Sequence, residues 1–178
     1  LLMRPYLLVQ REGAKIGVIG VASQATKGRA MPDRFFGIEF EGVEESLSKT
    51  VPEVWKAGAD AIVVVAHECP DKLVPVFQKH ADWKISFVGG ANCSQGLDDR
   101  STGTVMIAPD KRLRQYARAA LTIDLSKPAK ERVTKVDAKA VDVIDGPAVP
   151  EMTQLIEKWK KKVDAVLGEE IGFTEKRS

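Results

Sequence analysis

Residues 60 to 69 read DAIVVVAHEC. Five apolar residues, Ala61 to Val65, follow an acidic residue and lead through Ala66 to His67, the pattern of a central parallel strand that delivers a polar side chain at its carboxyl end. In open α/β sheets ligands collect at the carboxyl ends of the strands, so His67 stands where chemistry is done. The other reading of a strand-end histidine is structural, satisfied by a backbone carbonyl or by water.

The flanking sequence supplies what a parallel strand needs. Val43 to Ala57 carries apolar residues at Val43, Leu47, Val51, Val54 and Trp55, spacings of three and four that define one helical face closed by Gly58. Pro52 is expected to kink or interrupt this helix. Pro70 opens a second helix whose Leu73, Val74 and Phe77 face the sheet, and Trp83 to Val88 reads as the next strand. Alternating strands and helices make a right-handed βαβαβ unit the economical topology, with His67 and the loop after Val88 leaving one sheet edge together. The fold class is therefore α/β.

Upstream, Pro5 to Val9 and Lys15 to Val21 read as two strands joined by a tight turn at Glu12 and Gly13. Gly17 and Gly20 do not make a dinucleotide fingerprint, and close packing is the reason expected for both. Residues 23 to 42 carry no periodicity and read as a functional or covering loop, with no chemistry assigned to it. After Val88, GGANCSQG (89 to 96) is a turn by composition. Thr104 to Ala108 reads as a strand, and Gln115 to Leu125 with Val133 to Ile144 as extended strands of a sheet edge or second sheet. The parallel unit thus gives way to an antiparallel section. Beyond Pro147 and Pro150, the residues Met152, Leu155, Ile156, Trp159, Val163 and Val166 mark a helix ending at Gly168, and the terminal EEIGFTEKRS reads as a strand just beginning.

Composition narrows the function classes. With 178 residues, 44% hydrophobic and 29% charged, the chain suits one core with an appendage, and no apolar run approaches the roughly 20 residues of a membrane span. The formal charge is +2 with scattered basic residues, which excludes the electrostatic footprint of a nucleic-acid binder. The dense set Lys158, Lys160, Lys161 and Lys162 reads as the solvated face of the last helix. The amino terminus, LLMRPYLLVQ, has no signal-peptide build and enters strand-like sequence directly, as though the chain begins in mid-domain. The two cysteines, Cys69 and Cys93, make no CxxC pair.

The order VIGV, GADAIVVVAH, FVGG with a short polar loop, GTVMIAP and YARAALTIDL resembles the metallophosphoesterase domain of the 5'-nucleotidase family, and more narrowly its carboxyl half. The resemblance implies half of an αββα sandwich over residues 1-146. It further implies that residues 147-178 hold the interdomain helix and the start of a following domain. A histidine at the position of His67 binds metal in that family, and a GGHxH loop supplies two more. Here that loop is Gly89, Gly90, Ala91, Asn92, Cys93, so an alanine and a cysteine stand in place of both histidines.

The metal-ligand candidates are accordingly His67 and Cys93. Cys93 has three readings: a soft ligand, a disulfide partner of Cys69, or an inert buried thiol. The family's DxH, GD and GNH motifs, which carry the other ligands, do not occur in this chain. The resemblance implies divalent manganese or zinc in the intact protein and a small phosphate ester as substrate. It also implies a periplasmic or extracellular location, and either a missing amino-terminal half or self-association to cover the exposed sheet. The alternative is a non-catalytic relative that keeps the fold for binding. His80, at a helix end, needs no further role, and Asp98, Asp99 and Asp110 read as loop carboxylates.

Overall fold

The run at 61 to 67 becomes β3 (Ala61–His67), third in a six-stranded sheet of order β1-β2-β3-β4-β6-β5. The structure is a computed structural model, which describes residues 4–29, 31–110, 112–144, 146–168 and 172. By internal contacts the chain divides into two units, Leu1–Val143 and Ile144–Ser178.

The first unit starts with a hairpin. Strands β1 (Tyr6–Arg11) and β2 (Ala14–Ala22) pair antiparallel from Arg11 opposite Ala14 to Tyr6 opposite Ile19. The two-residue loop holds Glu12 and Gly13 at φ 49° and 84°, the positive values that a primed hairpin turn demands. A short helix, α1 (Thr26–Arg29), and a 3-10 turn (Pro32–Phe35) punctuate the covering segment, and α2 (Val43–Lys56) crosses back to β3, parallel to β2. Helix α3 (Pro70–Lys79) then leads to β4 (Phe87–Gly90), again parallel. The expected βαβαβ unit is present. Strand β5 (Leu97–Asp99) forms the antiparallel edge, and β6 (Val105–Ala108) slots between it and β4. The last two strands, β7 (Gln115–Ile123) and β8 (Val133–Asp142), pair only with each other as a second sheet.

The core lies on one face of the large sheet. Gly17, Ile19 and Val21 of β2, Ile62, Val64 and Ala66 of β3, and Val88 and Met106 meet Leu47, Val51 and Val54 of α2 and Leu73 and Phe77 of α3. Trp83 closes the far end, edge-on to Phe77, stacked on His80 at 4.1 Å and accepting the Trp55 indole N–H at its carbonyl (2.9 Å). His80 Nε2 lies 3.0 Å from Glu44 Oε1, so this histidine bridges α3 to α2. That hydrogen bond, more than any other interaction, holds the Glu44 carboxyl below its ordinary range.

Four expectations are corrected. Trp83 belongs to a 3-10 turn (Ala81–Trp83) followed by left-handed Lys84 (φ 51°), so the strand starts at Phe87: the indole is spent on packing, not on a ladder. Helix α2 is not interrupted at Pro52, which is exposed, so the carbonyl deprived of a donor faces water. Gly20 has no atom within 4 Å of where a Cβ would stand, so the packing argument holds for Gly17 alone, where a Cβ would overlap Val54 Cγ1. Asp98 and Asp99 lie in β5 rather than in a loop.

The opposite ends of β3 are fastened separately. At the start, buried Asp60 accepts the Lys15 backbone N–H (2.6 Å) and pairs with the Arg132 guanidinium, tying β2, β3 and the β7–β8 connection together. In the second unit, α4 (Pro150–Leu167) carries Met152, Leu155, Ile156, Trp159, Val163 and Val166, all exposed, with Lys162 lying 4.6 Å over the Trp159 ring. The expected strand at 169–178 lies outside the described residues except at Gly172.

The Gly17 packing predicts a contrast. Gly17→Ala lowers unfolding free energy by about 1–3 kcal/mol in urea titration, because Val54 cannot withdraw from the helix interface without opening it. Gly20→Ala stays within about 0.5 kcal/mol of the parent.

Candidate functional site

Strand register brings the candidate residues to one edge. His67, the last residue of β3, is opposite Ala22 of β2, and the preceding Ala66 is opposite Gly90 of β4. The loop Gly89 to Cys93 therefore departs beside His67, as the crossover through α3 to a neighbouring parallel strand requires. Three hydrogen bonds lie at this edge. Ser23 N–H donates to the His67 carbonyl (3.2 Å), Ala91 N–H donates to the Glu68 carbonyl (3.2 Å), and Cys69 N–H donates to the Glu68 carboxylate (3.1 Å). Gly90 is required here, since a Cβ would come within 2.8 Å of the Pro70 ring at the start of α3.

The histidine side chain is exposed. Alternation along β3 puts it on the same face as Val63 and Val65, opposite to the helices. That face is thinly covered: Val65 is 58% exposed, and an apolar cleft of about 500 Å³ separates Val63, Val65 and Phe87 from Ala119, Leu121 and Ile123 of β7. Asn92, in a left-handed conformation (φ 62°), accepts a hydrogen bond from Arg29 at 3.0 Å, which ties the segment after β2 to the loop after β4.

Cys93 is covalently bound to Cys69 across 24 residues, with Cα atoms 4.9 Å apart. Of its three readings the structure has the disulfide, so in the oxidised chain its sulfur is no thiolate. Ala91 offers no donor. Among the described residues no group of three or more His, Cys, Asp or Glu side chains is placed to hold a metal ion. The residues present do not fit the divalent-metal centre that the resemblance implies, and of the two candidate ligands His67 alone keeps a donor atom outside a covalent bond to sulfur.

Sequence reasoning missed Arg29 and Glu68. Both act through contacts from segments without periodicity, and only the register of β2, β3 and β4 brings them to the edge. Asp98 pairs with Arg100 (2.9 Å) and Asp110 with Arg114 (3.8 Å), so these carboxylates serve local ion pairs.

A mixed sheet of this order, parallel through β2, β3, β4 and β6 and followed by an antiparallel hairpin, is the fold of the 5'-nucleotidases and calcineurin-like phosphoesterases. The chain superposes on calcineurin-like phosphoesterase YfkN from Bacillus subtilis with a TM-score of 0.74, at 13% identity, over 93% of its length and 59% of that chain. For a 5'-nucleotidase precursor from Thermus thermophilus the TM-score is 0.71, at 16% identity, over 94% and 36% of the two chains. For the NAD nucleotidase of Haemophilus influenzae it is 0.72, at 13%, over 94% and 39%. In sequence the chain is 22% identical over 178 residues to endonuclease YhcR of Bacillus subtilis, spanning 94% of itself and 14% of that protein. No family model matches it. The chain thus spans less than two thirds of each of these proteins.

If convergence at the edge is as described, imidazoles restored to the loop will bind metal. The variant C69S/A91H/C93H is expected to take up zinc through His67 and the two new histidines, a three-ligand set of the catalytic-zinc kind. The parent gives no heat of binding. Calorimetry with zinc chloride checks both, and a silent variant that still folds would show that His67 does not face the loop.

Proposed function

We propose that residues 1-146 are the carboxyl half of a phosphoesterase domain of the 5'-nucleotidase kind, and that 147-178 are the linker helix and the beginning of a following domain. The intact protein, on this reading, hydrolyses nucleotide or related phosphate monoesters, and this chain alone does not. What supports it most is a single juxtaposition: the strand-end edge gathers His67 with the Gly89 to Cys93 loop, and Val65 and Gly89 beside it line an apolar cleft on the open face of the sheet.

A sheet needs a second layer over its apolar face, and Val63, Val65 and Phe87 have only part of one in β7. The exposed part of that face is accordingly where the amino-terminal half would pack, carried in the same polypeptide or by another. Divalent metal of the manganese or zinc kind, if the intact protein holds it, would draw its ligands from that half, with His67 as this chain's contribution. Cys93 would add a thiolate only in the reduced state. A disulfide favours an oxidising compartment, in keeping with a periplasmic or extracellular protein. Among the described residues no helix is long and apolar enough to cross a membrane.

A second reading has its own observation. The disulfide occupies the loop position of a metal-binding histidine, which favours a non-catalytic relative that keeps the fold for binding. The upstream reading frame separates the two: DxH, GD and GNH motifs there favour the enzyme, and their absence favours the binding domain.

Two outcomes are expected. With nitrophenyl phosphate or nucleoside monophosphates in excess manganese, the isolated chain turns over below about 1 per second, the lower end of ordinary enzyme rates. Faster turnover would end the half-domain reading. The open cleft will also bind an apolar fluorescent dye, and Leu121→Asp will reduce the signal without lowering the melting temperature. Equal fluorescence from parent and variant places the dye elsewhere.

A further inference from the structure

We propose that the Cys69–Cys93 disulfide replaces a metal ion as the tie between the two strand-end loops, so that this edge is held by the redox state of a cystine rather than by metal. The inference rests on the phosphoesterase reading for the metal that it replaces, and not on the intact protein's activity.

Its basis is the misfit between the donor set and the metal that the fold implies. A metal centre here would clamp the end of β3 to the loop after β4 by sharing ligands between them. In this chain one loop position is Ala91, without a donor, and another is Cys93, bonded to sulfur. The clamp nevertheless exists. Cys69 is the residue just before α3 and Cys93 lies three residues past β4, so the disulfide joins the same two loops two residues beyond His67. The backbones are already in register beneath it, through Ala91 N–H on the Glu68 carbonyl and the Pro70 ring against Gly90. Their Cα separation of 4.9 Å is within the range a disulfide spans.

Forming the bond balances as an exchange. The two thiols give up two protons and two electrons, the new S–S bond forms, and a disulfide donor leaves as its dithiol. The chain therefore needs an oxidant of the disulfide class during folding, where a metal-bound loop would need only the ion.

The test uses the whole chain, refolded with oxidised dithiothreitol as the disulfide donor and purified without reductant. Denatured thiol titration is expected to find essentially no free thiol. Zinc chloride, manganese chloride and chelator should each leave the melting temperature of the oxidised chain unchanged, and gel-filtered protein should carry no stoichiometric zinc. A phosphine reductant, with chelator present, should lower the melting temperature by roughly 3–10 °C and speed amide exchange at 67–72 and 89–93 before other segments. C69S/C93S should match the reduced parent; if it does not fold, reduction of the folded parent supplies the same reading. The proposal is overturned by two free thiols, by stoichiometric zinc that raises the melting temperature of the oxidised chain, or by reduction that changes neither melting nor exchange. Phosphatase activity of the intact protein bears on the function proposed above and leaves this result as it stands.

Discussion

The structure depends on β3 being buried along the whole of one face and only partly on the other. Ile62, Val64 and Ala66 are 0–2% exposed against the helices, while Val65 beside them is 58% exposed on the other face. The first set supplies most of the driving force for the crossover unit, at about 25 cal/mol for each Å² of apolar surface removed from water. The second set leaves a surface that a sandwich would bury. The open face, the edge position of His67 and the partial cover by β7 all follow from a sheet that has one finished side.

Much of this could be read from residue order. The helical stripes at Leu47, Val51 and Val54 and at Leu73 and Phe77 are spaced by turns of helix, and the turn at Glu12 and Gly13 is local chemistry; both survive any tertiary context. Misreadings arose where a side chain's destination was non-local. Trp83 has the composition of a strand residue, but its partners are His80 and Phe77, so it ends a helix instead. Strand β5 is three residues with two aspartates, and only pairing with β6 makes it a strand. The run at 61 to 66 reads as buried on both faces because valine looks the same on either side of a sheet. That Val65 is exposed depends on what else is present.

The convergence of the candidate residues was legible in the sequence, and their chemistry was not. A strand-end histidine beside a glycine pair is visible in sequence because parallel register follows from the crossover, and Ala66 opposite Gly90 realises it. Whether Cys93 is a ligand, a buried thiol or half of a disulfide depends on a separation of a few ångströms between residues 24 positions apart, and spacing along the chain does not encode that. Arg29 holding Asn92 is invisible for the same reason.

The disulfide also changes how the chain carries load. Under tension from its ends, the segment between Cys69 and Cys93, which contains α3 and β4, is bypassed by a covalent link and cannot extend. The contour length released on unfolding is shorter by the 24 residues of that loop, about 80 Å at the extended rise per residue. The edge that carries His67 is thus a short circuit in the force path: β4 and the loop beside it stay tethered to the end of β3 even when the sheet around them has come apart.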